Sequence, residues 1–326
     1  MRTLIHTTAA LERLKTQREQ EKLSHAYLLV FDDAKHLLTA LKECAKILLY
    51  AEENEYGEYR SEQEQRIASL IDGNKHPDCL IYPRNEKRLT AEEAEQIVEE
   101  CSVRAIEGDQ KIFIIDKFDE ALPAAQNKLL KVLEEPHKGV TFLLGARTVY
   151  PVLTTVQSRT QKLEILPFSI ENVGACIERN YSQRFSKEEI SLVCALSCGS
   201  VGAAENYLVS GFYKAVIEEA FTLCLADLST LPGAVKKVGE AKNKKELLTL
   251  LRLIYRDALL YKTGKGEYAF LTPERTRIQK VAQKLSLSAL LLAQEKLTEA
   301  EKQFKFNTNF PQCIEICIAS ILQHNT

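Results

Sequence analysis

The stretch that decides the fold is Lys111-Ile112-Phe113-Ile114-Ile115-Asp116. Its apolar residues are continuous rather than alternating, which predicts a strand covered on both faces, as in a parallel sheet. Three more short runs predict further strands, at 26–31, 78–82 and 141–144, and we expect one more strand at 162–166. Helical patterns lie between them. We therefore expect an α/β domain in which helices flank a parallel sheet.

The strand patterns stop after Pro167. Residues 169–207 contain short helical patterns, and residues 209–326 are almost entirely helical in pattern. We therefore expect three domains, at 1–167, 168–208 and 209–326.

The composition limits the class of protein. The chain has 326 residues, 45% of them hydrophobic and 27% charged, with a formal net charge of −2. This balance excludes the strongly basic surface of a stand-alone nucleic-acid binder. The first residues lack the apolar segment of a signal peptide, and no apolar run suits a membrane span. We expect a cytoplasmic protein whose nine cysteines are reduced.

The cysteines offer no obvious metal site. Two pairs, Cys194/Cys198 and Cys313/Cys317, are spaced so that each would share one helix face. We expect them to pack as small apolar side chains, since no C-x-x-C pair occurs and the histidines are scattered.

The first strand invites a test for nucleotide binding. A phosphate-binding turn needs glycines, so that backbone N–H groups can converge on the anion, and usually a lysine. The turn after Phe31 reads Asp32-Asp33-Ala34-Lys35-His36, with no glycine and two carboxylates that would repel a triphosphate. We expect no nucleotide cofactor.

The residues that follow the strand at 111–115 also argue against an ATPase site. Asp116 is the residue type that organises Mg²⁺ in an ATPase, but the next position, where a carboxylate would orient water, is Lys117. We therefore favour a structural role for Asp116, as a cap of the strand end or as a charge at the start of a helix. A role as a metal ligand is the less favoured alternative.

Six segments carry recognisable motifs: Ser24–Leu29, His76–Asp78, Asn127–Pro136, Ser158–Thr160, Cys198–Ala204 and Tyr255–Gly264. Together they resemble the AAA+ clamp-loader family, and within it the delta-prime chains of bacterial DNA polymerase III. Ser24–Leu29 is similar to the strand before the phosphate loop, His76-Pro77-Asp78 to "HPD", and Asn127–Pro136 to "NALLKTLEEPP", the most specific match. The others are Ser158-Arg159-Thr160 (similar to "SRC"), Cys198–Ala204 (similar to "GSxGxA") and Tyr255–Gly264 (similar to "RDLLLLKTG").

The resemblance implies a function. The domains would be an AAA+ α/β domain without a phosphate loop (1–167), a helical lid (168–208) and an all-α collar for oligomerisation (209–326). The chain would be a non-ATPase clamp-loader subunit that helps load the sliding clamp on primed DNA. Its partners would be gamma/tau-type ATPase subunits and delta, the clamp indirectly, and primer–template DNA through the assembled complex, with no membrane.

The resemblance also implies one catalytic residue. In the family, the arginine at the position of Arg159, next to Ser158, projects toward ATP bound by a neighbouring subunit. A guanidinium suits this role because it is always charged and contacts several phosphate oxygens at once. The alternative for Arg159 is a surface salt bridge. Thr160 replaces the family cysteine, and residues 51–75 lack the cysteines of the family's zinc module, so no metal is expected.

Three other functions remain open. An active AAA+ ATPase would need the missing phosphate loop. The delta subunit, which opens the clamp, departs further from the "LLKTLEEP" and "SRC" patterns. A non-catalytic AAA+ adaptor outside replication would use the fold only for binding.

Overall fold

The computed structural model describes residues 1–51, 59–85, 87–238, 244–304 and 309–325. The chain divides into two compact units, Met1–Pro167 and Phe168–Thr326.

The first unit is built on a five-stranded sheet. The strands are β1 (Ala26–Val30), β2 (Cys79–Tyr82), β3 (Lys111–Ile115), β4 (Val140–Ala146) and β5 (Gln161–Glu164). Their order is β2-β3-β4-β1-β5, and every neighbouring pair is parallel. The prediction of a parallel α/β sheet is confirmed.

Seven α-helices accompany this sheet in the described part of the unit. They are α1 (Arg2–His6), α2 (Ala9–Glu19), α3 (Leu37–Leu48), α4 (Glu62–Asp72), α5 (Ala91–Glu100), α6 (Pro123–Glu134) and α7 (Thr154–Gln157). Much of the polar segment 51–66, expected to be a loop or solvated helix, lies outside the described residues, and α4 begins within its described end.

The two faces of the sheet are both covered. On one face Phe113 and Phe142 stack with ring centroids 5.4 Å apart, in a core shared with α5 and α6. On the other, Leu41 of α3 packs against Gly145 of β4. Burial on both sides explains why the strands read as continuous apolar runs.

Local signals set the ends of α5 and α6. The sequence pattern of Thr90 and Glu93 predicts a capping box and a helix that runs to about residue 104, and the two side chains do form that box. Helix α5 ends at Glu100, however, rather than near residue 104. Pro123 occupies the first turn of α6, where its missing N–H costs nothing.

The second unit is helical throughout its described residues. Its helices are α8 (Ile170–Tyr181), α9 (Lys187–Leu196), α10 (Val201–Ser210), α11 (Tyr213–Cys224), α12 (Leu231–Val238), α13 (Lys244–Lys262), α14 (Arg275–Lys284), α15 (Leu287–Phe304) and α16 (Phe310–Gln323). The boundary expected at 208 falls within the last turn of α10, and a division into lid and collar stays a prediction.

The cysteines require one correction. Helix α9 ends at Leu196, so Cys198 is not on the helix face of the buried Cys194 but lies beyond it, exposed, with φ of 49°. The pair on α16 shares a helix, with Cys317 buried and Cys313 half-buried. Within the described ranges, no cluster of three metal-ligating side chains forms. None of the described helices is long and apolar enough to cross a membrane.

Candidate functional site

The carboxyl edge of the sheet brings together the residues tested for nucleotide binding. Asp32 follows β1, Asp116 follows β3, and Arg147 follows β4. Ligands of open parallel sheets bind at this edge, outside the ends of the strands. The edge is therefore where an ATP site would be built, and its side chains decide whether it could hold one.

Asp32 and Asp33, the two carboxylates after β1, have different roles in the structure. Asp33 is only 1% exposed, and its Oδ1 accepts the backbone N–H of His36 at 3.2 Å. It therefore shapes the turn that starts α3 at Leu37. Asp32 is exposed and forms an ion pair with Arg147, with Oδ1 and Nη2 2.9 Å apart. The sequence had given both residues the same role of repelling phosphate.

Arg147 is a residue that the sequence analysis missed. Strand β4 ends at the buried Ala146. The next backbone N–H, that of Arg147, donates to Asp119 Oδ2 at 3.2 Å while its side chain reaches Asp32. The only signal in the sequence was a basic residue directly after a strand.

Asp116 and Asp119 lie in a partly desolvated environment. Burial raises the pKa of Asp116, although the charge and the backbone N–H of Lys117 oppose this. Burial also raises the pKa of Asp119 against backbone N–H groups from Arg147 and Thr148. Each carboxyl has a buried Oδ1 without a hydrogen bond within the described part of the chain. Lys117 follows Asp116 directly and cannot act as the missing base.

The second candidate feature is Arg159, which lies between α7 and β5. Its Nη1 donates to the carbonyl of Thr155 at 2.7 Å, and its Nε donates to Glu134 Oε1 at 2.7 Å. Nη2 contacts the same Glu134 oxygen. Ser158 Oγ donates to Thr155 O at 3.1 Å and lies 3.4 Å from Nη1. The guanidinium is thus held between the end of α6 and the turn of α7.

The environment of Arg159 is solvated. The side chains of Arg159 and Glu134 are 31% and 48% exposed. Such an ion pair stabilises a fold by at most about 1 kcal/mol. The surface salt bridge that was the alternative for Arg159 therefore does form, but it is weak enough to be exchanged for another anion.

Thr160 fits the turn where the family has cysteine. Its hydroxyl lies 3.1 Å from the carbonyl of Val156 and 3.3 Å from that of Gln157, and donates to them. The substitution therefore places a satisfied hydroxyl beside Arg159.

Gln126 is a second residue that sequence reasoning missed. It is fully buried and donates to the carbonyls of Ala121 and Pro151, at 2.9 and 3.1 Å, while its Oε1 accepts from Leu153 N at 2.9 Å. It therefore fixes the loop before α7 to the start of α6, and with it the turn that carries Arg159.

Two of the quoted motifs are structural. His25 Nε2 lies 2.9 Å from the carbonyl of Leu133, which joins the strand motif to the "LLKVLEEP" helix. Asp78 is 1% exposed and accepts the backbone N–H groups of Ile106 and Glu107, both at 2.7 Å. These contacts lie at the amino ends of β1 and β2, opposite the carboxyl edge, and hold the framework of the sheet.

Comparisons with known proteins agree on one family. The family model described as DNA polymerase III, delta subunit, matches residues 6–169, just over half of the chain. The chain is 24% identical over 312 residues to DNA polymerase III subunit delta' of Bacillus subtilis (strain 168), covering 91% of this chain and 90% of that protein. It is 29% identical over 147 residues to DNA polymerase III subunit delta' of Haemophilus influenzae, covering 44% of each.

Solved structures align with the chain at low similarity. A gamma-subunit-related protein of DNA polymerase III from Thermotoga maritima aligns over 96% of this chain and 99% of its own, with a TM-score of 0.41 and 14% identity.

Proposed function

The chain belongs to the family of DNA polymerase III delta subunits, and from this premise we propose that it is a non-ATPase, delta-prime-type subunit of the bacterial replicative clamp loader. It binds no nucleotide and supplies Arg159 to the ATP site of a neighbouring subunit. The observation that carries this is Arg159 itself, which is partly exposed on the turn after α7, where a weak ion pair with Glu134 and a hydrogen bond to the carbonyl of Thr155 hold it.

The geometry of the sheet edge supports the absence of an ATPase activity. The turn at 32–36 has no glycine, and the side chain of Asp33 is used inside that turn. Asp32 and Arg147 neutralise each other where phosphates would need uncompensated donors. Lys117 stands where the catalytic carboxylate would be needed.

The chemistry proposed for Arg159 is electrostatic. Negative charge on the transferred phosphoryl group is spread over its equatorial oxygens, and a guanidinium placed beside them stabilises the transition state. The carbonyl of Thr155 fixes Nη1, so the side chain starts from a defined position. Ser158 supports the same nitrogen.

The delta-prime assignment rests on two further observations. The segments Asn127–Pro136 and Ser158–Thr160 keep the patterns from which delta chains depart, and the B. subtilis relative that is similar over 91% of this chain is named delta'. The proposed partners are gamma/tau-type ATPase subunits and delta, with the clamp reached indirectly and primed DNA through the complex. We also propose that residues 168–208 form a helical lid domain and that residues 209–326 form a helical collar domain for oligomerisation.

The test is to reconstitute the clamp loader from its other subunits, taken from the same organism, and this chain carrying Arg159→Ala. An arginine finger is worth about 10³–10⁵ in rate, so DNA-dependent hydrolysis at the adjacent ATP site should be lost while the complex still assembles. The matched control is Arg104→Ala, an exposed arginine of the same unit. Hydrolysis and clamp loading unchanged in Arg159→Ala would overturn the finger. Failure of the wild-type chain to co-purify with the other loader subunits would favour the adaptor.

A further inference from the structure

Glu134 is the residue that holds Arg159 in the isolated chain. It is the last residue of α6, and its Oε1 receives two N–H groups of the guanidinium, from Nε and Nη2. Nη1 is directed to Thr155 O and Ser158 Oγ. The donors of Arg159 are thus turned toward acceptors of its own chain.

This arrangement conflicts with the role of an arginine finger. A finger works through positive charge that is not compensated at the reacting phosphate. Beside Glu134, the pair of side chains carries no net charge. A phosphoryl group in the neighbouring subunit must therefore displace the Glu134 carboxylate before Arg159 can act on it.

We propose that Glu134 is a positioning residue that keeps Arg159 in a resting position and releases it when phosphate oxygens of the neighbouring ATP take its place. The inference rests on the proposed function of Arg159. The inference adds a step to that function: Arg159 engages the neighbouring ATP by exchanging the Glu134 carboxylate for phosphate oxygens. The strength of the Glu134 contact then sets part of the free energy needed to engage Arg159.

The exposures make this exchange feasible. Both side chains are partly in water, where one carboxylate holds a guanidinium weakly. A triphosphate carries more negative charge than one carboxylate and attracts Arg159 more strongly. The contact of Nη1 with Thr155 O belongs to the turn of α7 itself, so it can persist as a pivot while Nε and Nη2 change partner.

Glu135 provides a matched control. It follows Glu134 directly, has the same charge and is also exposed, but the two contacts to Arg159 come from Glu134. Substituting either glutamate changes the net charge equally, so long-range electrostatics cannot explain a difference between the two variants.

The kinetic test uses the reconstituted loader with Glu134→Gln, Glu135→Gln and Arg159→Ala. Glu134→Gln should raise kcat for DNA-dependent hydrolysis about two- to fivefold, the size expected for removing a weak ion pair. KM for ATP should not rise, because the variant removes the carboxylate that competes with the phosphates for Arg159. Glu135→Gln should match the wild type.

A second test needs no activity. In NMR spectra of the isolated chain, the Nε–H signal of Arg159, assigned by its loss in Arg159→Ala, should exchange slowly with water. It should exchange faster and shift in Glu134→Gln but not in Glu135→Gln.

The outcomes separate the two proposals. If Arg159→Ala leaves hydrolysis unchanged, the proposed function fails and this inference falls with it. If Arg159→Ala abolishes hydrolysis at the adjacent site but Glu134→Gln behaves like Glu135→Gln in either kcat or exchange, this inference alone is wrong. A lower kcat in Glu134→Gln also overturns it, because a release step predicts a gain.

Discussion

At the residue scale, Glu43 lies at the centre of a buried charge network. Its Oε1 lies 3.0 Å from Lys46 Nζ, and its Oε2 lies 2.9 Å from His6 Nε2. Lys46 also contacts Asp72 at 2.9 Å, and Arg2 bridges Asp72 and Glu43. The network therefore joins α1, α3 and α4. A buried carboxylate is stable only while such partners remain.

Glu43→Gln should destabilise the chain. Removing one member of a buried ion pair costs about 3 kcal/mol, at the low end of the usual range because Lys46 keeps Asp72. The midpoint of urea unfolding, followed by circular dichroism, should fall accordingly. The control is Glu19→Gln, an exposed glutamate of α2, which should change the midpoint little. Equal midpoints for the two variants would mean that the network adds no stability.

The same residue should make stability depend on pH. Burial acts to raise the pKa of Glu43, but the hydrogen bond from His6 and the charge of Lys46 together bring it below the ordinary value. A lowered folded-state pKa stabilises the chain above the unfolded pKa of about 4.3, and that contribution is lost as pH falls through the folded pKa. The free energy of unfolding should thus decline less steeply below pH 5 in Glu43→Gln than in the wild type.

Arg159 could be predicted from the sequence as a candidate site residue, whereas Arg147 could not. Arg159 was found because its neighbours in sequence form a motif. The contact of Arg147 with Asp32 could not be found, because the two residues are 115 positions apart and meet only when β1 and β4 pair. Glu134 was missed for the same reason, since its contact with Arg159 depends on how α6 and α7 meet.

At the element scale, β4 and α3 approach each other closely at Gly145. A Cβ placed on Gly145 would lie 2.5 Å from Leu41 Cδ1. Real Cβ atoms do not come so close, and cores accommodate added methyl groups poorly. The glycine is therefore what lets α3 pack onto this face of the sheet.

Gly145→Ala should lower the stability of the chain by about 1–3 kcal/mol through overpacking. Thermal unfolding should show this as a lower Tm. Gly108→Ala is the control, since nothing lies within 4 Å of a Cβ at that position, and it should leave Tm unchanged or slightly raised. A Tm for Gly145→Ala equal to that of the control would show that Leu41 moves aside freely.

The elements themselves were largely predictable. Strands β1 and β3 are buried on both faces, which produces apolar runs that the sequence displays directly. In β5 only Leu163 is buried. The end of α5 was placed about four residues too late, because Asp78 takes the N–H groups of Ile106 and Glu107 and orders that segment as a loop. Cys198 was misplaced because α9 ends before it. Both errors concern helix ends, where distant contacts decide the outcome.

At the scale of the whole molecule, the chain has the parallel sheet and the sequence motifs of the clamp-loader family, while the turn at 32–36 on the carboxyl edge of that sheet has no glycine. The motif residues His25 and Asp78, together with Gln126 beside the helix motif, make the contacts that hold the sheet, α6 and the turn of α7 together. The residues that do not meet the requirements of an ATP site are Asp32–His36, Lys117 and Arg147. This combination of the family's framework with such an edge is what we expect of a subunit that acts on its neighbour.

The most direct test of this account is a calorimetric titration of the isolated chain with MgATP. We expect no saturable binding up to millimolar nucleotide, because the loop at 32–36 offers no glycine backbone and Asp32 already binds Arg147. The wild-type ATPase subunit of the same loader serves as the positive control. Micromolar affinity for MgATP in this chain would contradict the account, since the carboxyl edge of the sheet would then be a working nucleotide site.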